Sequence, residues 1–320
     1  AERAALAGVD EDDLRAAARA YGEADRAAAF TGMGMSQHRC GTDNVHALLN
    51  LALLTGNVGR RGTGVNPLRG QNNVQGASDV GTLPGVLPGY RDVGDREARA
   101  ALAEEWGIEP PADPGLTEVE MTHAFGDGIR AAIVLGENPA ATEPDSNSVA
   151  ERFEELEFLV TIDLFETETT QYADVILPGS AWAEKNGTVT NTDRQVLRMR
   201  RMTDPPGRAR RDLEILAGLG ERLTGQPFDS APAAVVAELT RVSPIYAGMS
   251  YDGIDDSESQ RASGSRTQSG DGGHRWPFPP DAASGPGVLH RERFASVDRT
   301  APLVPLSPVP PPYSPYTHVF

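Results

Sequence analysis

The run Asn66-Pro67-Leu68-Arg69-Gly70-Gln71-Asn72-Asn73-Val74-Gln75-Gly76 places one arginine among amides and glycines, with no carboxylate within six residues on either side. A guanidinium presents its N–H donors in a planar fork that matches a carboxylate or phosphate at two points, and an arginine with no local acid is available to hold an anion supplied from outside. Four amides in five positions, Gln71, Asn72, Asn73 and Gln75, add hydrogen-bonding capacity without charge, and the glycines let backbone or a bulky ligand come close. Arg69 is therefore the candidate for gripping a small anionic substrate, with Gln71 as a second hydrogen-bonding group. The plain alternative is a surface loop whose arginine is solvated or caps a helix.

A second set of residues suits a nucleotide. Gly136-Glu137-Asn138-Pro139 offers backbone N–H groups and an amide that can meet a phosphate or a purine edge. Asp163 follows Asn138 by 25 residues, at the tip of an apolar run, where dinucleotide-binding folds place an acid against ribose hydroxyls. The absence of Gly-x-Gly-x-x-Gly argues against a nicotinamide dinucleotide. A guanine base needs a carboxylate to accept from its N–H groups, and Asp163 or Asp212 can provide it. Lys185 is the sole lysine among 29 basic residues, and its compact ammonium suits a phosphate unless it merely pairs with Glu184. Thr167, Glu168 and Thr169 read equally as ligand contacts or as a helix start. Met33 and Met35, set among Gly32, Gly34 and Gln37, can face a ligand or fill a core. His38 reads as a hydrogen-bonded structural histidine rather than a ligand. Cys40 is the one cysteine, so no intrachain disulfide, zinc finger or iron–sulfur cluster can be built from cysteines here, and it reads as a small, partly buried residue.

These residues need elements to position them. Residues 1–29 form a partly amphipathic helical run that ends before a strand. Val45, Leu48, Leu49, Ala52 and Leu53 recur at helical spacing and predict a helix over 44–54, with Thr42 or Asp43 placed to cap it and Gly56 to end it. Residues 55–95 are rich in Gly, Pro and Asn and predict one long functional loop. Strands at 131–135, 158–162 and 174–177, with a helix at 146–156, predict a parallel sheet with crossover helices, whose ligands bind outside the carboxyl ends of the strands. One more helix is expected over 231–240, a poorly ordered Ser-, Gly- and Pro-rich insertion over 255–288, and a proline-dense, extended stretch over 302–315.

On these motifs, together with Gly32-Met33-Gly34-Met35-Ser36-Gln37-His38, Leu53-Leu54-Thr55-Gly56-Asn57-Val58-Gly59 and Ala173-Asp174-Val175-Ile176-Leu177-Pro178, the chain resembles the catalytic alpha subunit of molybdenum-dependent formate dehydrogenases, in the molybdopterin oxidoreductase (DMSO reductase-like) family. The resemblance implies an α/β fold of parallel-sheet, dinucleotide-binding-like lobes with a poorly ordered C-terminal tail. It divides the chain into 1–71, the end of a first molybdopterin lobe with the substrate loop; 72–225, a second lobe; and 226–320, a connector toward a C-terminal barrel. It implies molybdenum or tungsten held between two molybdopterin guanine dinucleotides, bound through Met33, Gly34 and Gln37 in the first lobe and Asn138, Ile162, Asp163, Lys185 and Asp212 in the second. It implies formate as substrate and, as electron partner, an iron–sulfur subunit or an NAD-reducing or ferredoxin-type acceptor. Relatives carry an N-terminal 4Fe-4S domain and a cysteine or selenocysteine that ligates the metal. Neither motif occurs in these residues, so a fragment or a split gene product is expected. Two alternatives are an oxyanion reductase of the nitrate type, whose substrate loop would lack the Arg69-to-Gln75 pattern, and a non-catalytic homologous scaffold subunit.

At 320 residues the chain can hold two compact domains. Its net charge of -17 excludes a nucleic-acid surface. Such acidity suits a halophile's cytoplasm, or an acidic protein from a GC-rich genome. With no run of eighteen apolar residues and no signal-peptide pattern, a soluble cytoplasmic protein without a membrane span is expected.

Overall fold

Short apolar runs separated by glycine-rich turns become two families of parallel strands, one in each of two compact units, Ala1–Asn72 with Pro286–Phe320 and Asn73–Gly285. The computed structural model describes residues 2–38, 40–143, 145–255, 275–278, 288–290, 294 and 300–306.

In the first unit the N-terminal helical run is two helices, α1 (Glu2–Ala7) and α2 (Glu11–Glu23). Gly8 at φ 66° turns the chain between them, and Asp10 then caps α2, its carboxylate accepting from the N–H groups of Asp12 at 2.8 Å and Asp13 at 3.3 Å. After β1 (Ala28–Thr31) come α3 (Met33–Ser36), α4 (Gly41–Leu54) and β2 (Gly64–Pro67). The two strands pair in parallel from Ala28 with Gly64 to Thr31 with Pro67. Fully buried Asn57 accepts the Ala27 N–H at 2.9 Å and so fixes where β1 begins. Helix α4 starts earlier than its apolar spacing predicts. Cys40 is the N-cap and its carbonyl takes the Asn44 N–H at 3.0 Å, so Thr42 and Asp43 lie in the first turn and neither caps it. Asp43 there still faces the positive end of the helix.

The second unit opens with α5 (Val74–Asp79), the antiparallel pair β3 (Val86–Leu87) and β4 (Arg91–Asp92), α6 (Arg96–Trp106) and α7 (Glu118–His123). Residues 55–95 thus carry β2, α5, β3 and β4 rather than one loop. Then follow β5 (Ala131–Leu135), α8 (Pro139–Thr142), α9 (Ser146–Glu154), β6 (Phe158–Asp163), β7 (Val175–Pro178), the antiparallel hairpin β8 (Gly187–Thr190) and β9 (Val196–Met199), α10 (Asp212–Thr224) and α11 (Pro232–Val242).

The sheet order is β5-β6-β7, all parallel, as the alternation of strands and helix predicts. The period-two alternation of a strand divides β6 between two layers. Leu159 packs with Val149 and Phe153 of α9, while Val160 and Ile162 pack with Ile215 of α10. Between β6 and β7 the crossover is only the 3₁₀ turn Thr169–Tyr172, not the expected helix. A separate core joins Ala98 and Leu102 of α6 to Leu87, Val93 and Val242. Of the insertion expected over 255–288, residues 275–278 are described and packed: Phe278 is fully buried, and its N–H donates to the Ile245 carbonyl at 2.8 Å. The rest lies almost wholly outside the described residues. Of 302–315, residues 302–306 are described without helix or strand, and Val304 exchanges hydrogen bonds of 3.0 and 2.7 Å with Asn50.

Candidate functional site

The two groups of residues singled out by the sequence fall in different units, and within each unit they gather at carboxyl ends of parallel strands. In the first unit β1 and β2 end side by side, where Leu68 N–H donates to the Thr31 carbonyl at 2.6 Å. The chain leaves β1 into Gly32 and α3, and it leaves β2 into the Arg69 loop. A Cβ on Gly70 would lie 3.9 Å from the Met33 sulfur, so these two exits are in contact. Met33 is 62% exposed, which excludes a core role for it. Gly34 and Gln37 are exposed as well; the Gln37 N–H donates to the Met33 carbonyl at 2.8 Å, leaving its side chain outside the helix bonding. His38 Nε2 bonds the Gly34 carbonyl at 2.8 Å, and Cys40 is half-buried with its Sγ 3.9 Å from Asn44 Oδ1. Arg69 and Gln71 are both exposed, and no hydrogen bond or ion pair engages either side chain among the described residues.

In the second unit the carboxyl ends of β5, β6 and β7 carry Gly136, Asp163 and Gly179. Gly136, at φ 64°, donates its N–H to the Ile162 carbonyl at 2.8 Å. Asp163 turns the chain back on itself, its Oδ1 accepting the Leu164 N–H at 2.6 Å. Its other carboxylate oxygen has no hydrogen-bond partner among the described residues. Asn138, expected to address a ligand with its amide, spends it internally: Nδ2 donates to Glu168 at 2.7 Å, and Oδ1 accepts from the Thr169 N–H at 3.0 Å and hydroxyl at 2.8 Å. The Thr167-to-Thr169 segment is thus clamped to the start of α8, with Thr169 fully buried. That amide N–H, followed by a backbone one, holds the Glu168 carboxyl below its ordinary pKa, whereas burial and then the Glu118 charge push Glu137 up. Ile162 is 1% exposed, and its side chain packs in the core under α10.

Lys185 and Asp212 come together. Lys185 Nζ donates to Asp212 Oδ2 and, at 2.9 Å, to the Ser180 carbonyl; its neighbour Glu184 instead accepts the Ala181 N–H at 2.9 Å. Asp212 Oδ1 takes the Ser180 N–H at 3.2 Å, and a Cβ on Gly179 would lie 2.8 Å from that oxygen, so a glycine is what lets strand β7 end against this carboxylate. Ser180 escaped the sequence reading. It is 3% exposed, and its hydroxyl has no partner among the described residues. Its only sequence signal is its place two residues past a parallel strand. Among the described residues no helix is long and apolar enough to cross a membrane, and no group of three or more His, Cys, Asp or Glu could hold a metal ion.

The sequence model of the molybdopterin oxidoreductase family matches residues 15–222. The chain is 40% identical over 303 residues to the F420-dependent formate dehydrogenase subunit alpha of Methanocaldococcus jannaschii, and 41% identical over 297 residues to the F420-dependent formate dehydrogenase 2 subunit alpha of Methanococcus maripaludis. These alignments cover 94% and 91% of this chain but only 42% and 41% of those proteins. Among solved structures, acetylene hydratase from Pelobacter acetylenicus superposes with a TM-score of 0.56 at 15% identity, over 89% of this chain and 41% of that one, which shows a shared fold.

Proposed function

The chain belongs to the molybdopterin oxidoreductase family, and from that premise we propose that it is a segment of a formate dehydrogenase alpha subunit, acting in the two-electron oxidation of formate at a molybdenum or tungsten centre carried by molybdopterin guanine dinucleotide. The observation that carries the substrate is Arg69, an exposed guanidinium at the carboxyl end of β2 with no ion pair among the described residues and no acid nearby in sequence. The similarity to formate dehydrogenase alpha subunits supports the same choice.

Formate has one C–H bond and no handle except its carboxylate. Its oxidation yields carbon dioxide, a proton and two electrons. When bound, the metal–pterin group supplies the acceptor for that electron pair. Arg69 receives both carboxylate oxygens in its fork and balances their charge, and Gln71 adds a hydrogen bond that fixes which way the C–H bond faces; positioning and electrostatics of this kind dominate such catalysis. Residues 1–71 and 72–225 are read as two pterin-holding lobes. The second fits a nucleotide-bearing arm: the Ser180 hydroxyl and the second carboxylate oxygen of Asp163, neither with a hydrogen-bond partner among the described residues, form with the Lys185–Asp212 pair a set of donors and acceptors at the carboxyl ends of β6 and β7. There Lys185 would meet a phosphate or pterin carbonyl, and a carboxylate the N–H groups of guanine. Met33, Gly34 and Gln37 would face the pterin from the first lobe. The electrons then pass to a partner of iron–sulfur, nicotinamide-reducing, ferredoxin or F420 type.

In the complete enzyme, Arg69→Ala is expected to lower formate turnover by about two orders of magnitude or more, with pterin and metal contents near those of the wild type. Loss of cofactor together with activity would make the loop structural. Nitrate reduction assayed in parallel separates the formate reading from a reductase.

A further inference from the structure

Helix α5 begins where the Arg69 loop ends, and it lacks the means to hold itself in place. It has six residues, too few for an isolated helix, and Val74 is its only large apolar side chain; yet Gln75, Gly76, Ser78 and Asp79 are buried. Polar contacts do the holding. Asp79 is 0% exposed, and its Oδ1 accepts hydrogen bonds from Gln75 Nε2 and from Tyr90 Oη, each at 2.8 Å, while Oδ2 accepts from Tyr246 Oη at 2.7 Å. A carboxylate is tolerated without solvent only when donors surround it in this way. The far end of the helix is tied to the same network. Asn73, left-handed at φ 63°, accepts the Thr190 N–H of β8 at 2.9 Å, and the Thr190 hydroxyl lies 3.4 Å from Tyr246 Oη. A Cβ on Gly76 would sit 2.2 Å from Asn73 Oδ1, so glycine is required for that reach.

We propose that Asp79 is a positioning residue for substrate: through Gln75, Tyr90 and Tyr246 it anchors helix α5, into which the segment bearing Arg69 and Gln71 runs, and so holds fast the covalent tether on which those two side chains move. The inference rests on Arg69 holding the substrate carboxylate. Arg69 precedes the anchored Asn73 by four residues, so freedom at the anchor passes directly into the loop.

The test uses the complete, metal-loaded enzyme. Asp79→Asn keeps the shape but removes the charge and one acceptor, so that the Gln75 amide or a tyrosine hydroxyl must turn its hydrogen away; kcat/KM for formate is expected to fall by about tenfold or more, with pterin and metal contents unchanged and faster amide hydrogen exchange over residues 68–74. The double variant Gln75→Glu with Asp79→Asn exchanges the amide and the carboxylate within the network, and it is expected to recover most of both losses. Wild-type kcat/KM and exchange in Asp79→Asn would overturn the proposal, as would pterin loss that accounts for the whole fall in activity. Should Asp79→Asn not fold, Tyr246→Phe removes one hydrogen bond with the ring kept, and the same two measurements decide in the same directions. Should the wild-type enzyme leave formate untouched, the formate reading fails while the exchange comparison still judges the anchor.

Discussion

A phenol beside a buried carboxylate makes the protein sensitive to alkali. Burial, and then the Asp79 charge, raise the pKa of Tyr246 above its ordinary value. Because the folded pKa is the higher one, the stabilisation is complete below the unfolded value of about 10 and declines as pH rises past it. There each pH unit costs up to about 1.4 kcal/mol, since the unfolded phenol releases a proton that the folded one keeps. Urea unfolding from pH 9 to 11 is therefore expected to show a shallower loss of stability in Tyr246→Phe than in the wild type. At pH 7 the same variant should be less stable by about 1–3 kcal/mol, from the lost bond to Asp79. Arg69 is legible because the sequence around it lacks acids, and in the structure its side chain is exposed with no hydrogen bond or ion pair among the described residues. Asp79 is not, because its partner Tyr246 lies 167 residues away along the chain. Ser180 shows the same limit, since a buried hydroxyl without a partner is a fact about its surroundings.

Helix α9 was legible because Val149 and Phe153 recur at helical spacing, and strand β6 because residues 158–162 are a short, nearly unbroken apolar run. Phe153, 3% exposed, joins the two: its ring lies 5.5 Å from Phe125 and 5.9 Å from Tyr172, and it packs in the same cluster as Leu159. Truncation there opens a cavity that the sheet cannot collapse to fill. Phe153→Ala is expected to lower stability by about 3–5 kcal/mol, read from the shift in urea midpoint at unchanged slope. Other elements were not legible. Helix α6 is rich in charged and small residues, and its apolar Ala98 and Leu102 make sense only against partners outside the helix, among them Val242, far along the chain; the hairpin β8–β9 has strands of only four residues each. The short crossover before β7 was missed for the opposite reason: the Thr169 side chain and Asn138 complete it by hydrogen bonds, which leave no periodic trace.

At the scale of the whole chain, a net charge of -17 opposes compaction unless ions screen it. The Debye length shrinks from about 30 Å at 0.01 M salt to about 3 Å at 1 M. Salt also weakens exposed arginine–carboxylate pairs such as Arg241–Glu105 and Arg15–Glu11, but solvent already screens such pairs and each contributes little. Net repulsion is the larger effect, so Tm should rise between 0.01 M and 1 M sodium chloride; a fall would mean that the pairs outweigh it. The sequence by itself determined the family, the parallel α/β class, the strands β5 to β7 and the absence of acids around Arg69, because each is written in local composition, period or motif. The tertiary structure alone decided that Lys185 meets Asp212, that the Asn138 amide bonds Glu168 and Thr169, and that a buried carboxylate anchors α5. Those outcomes depend on which distant groups share a desolvated space, and folding, not spacing along the chain, brings such groups together.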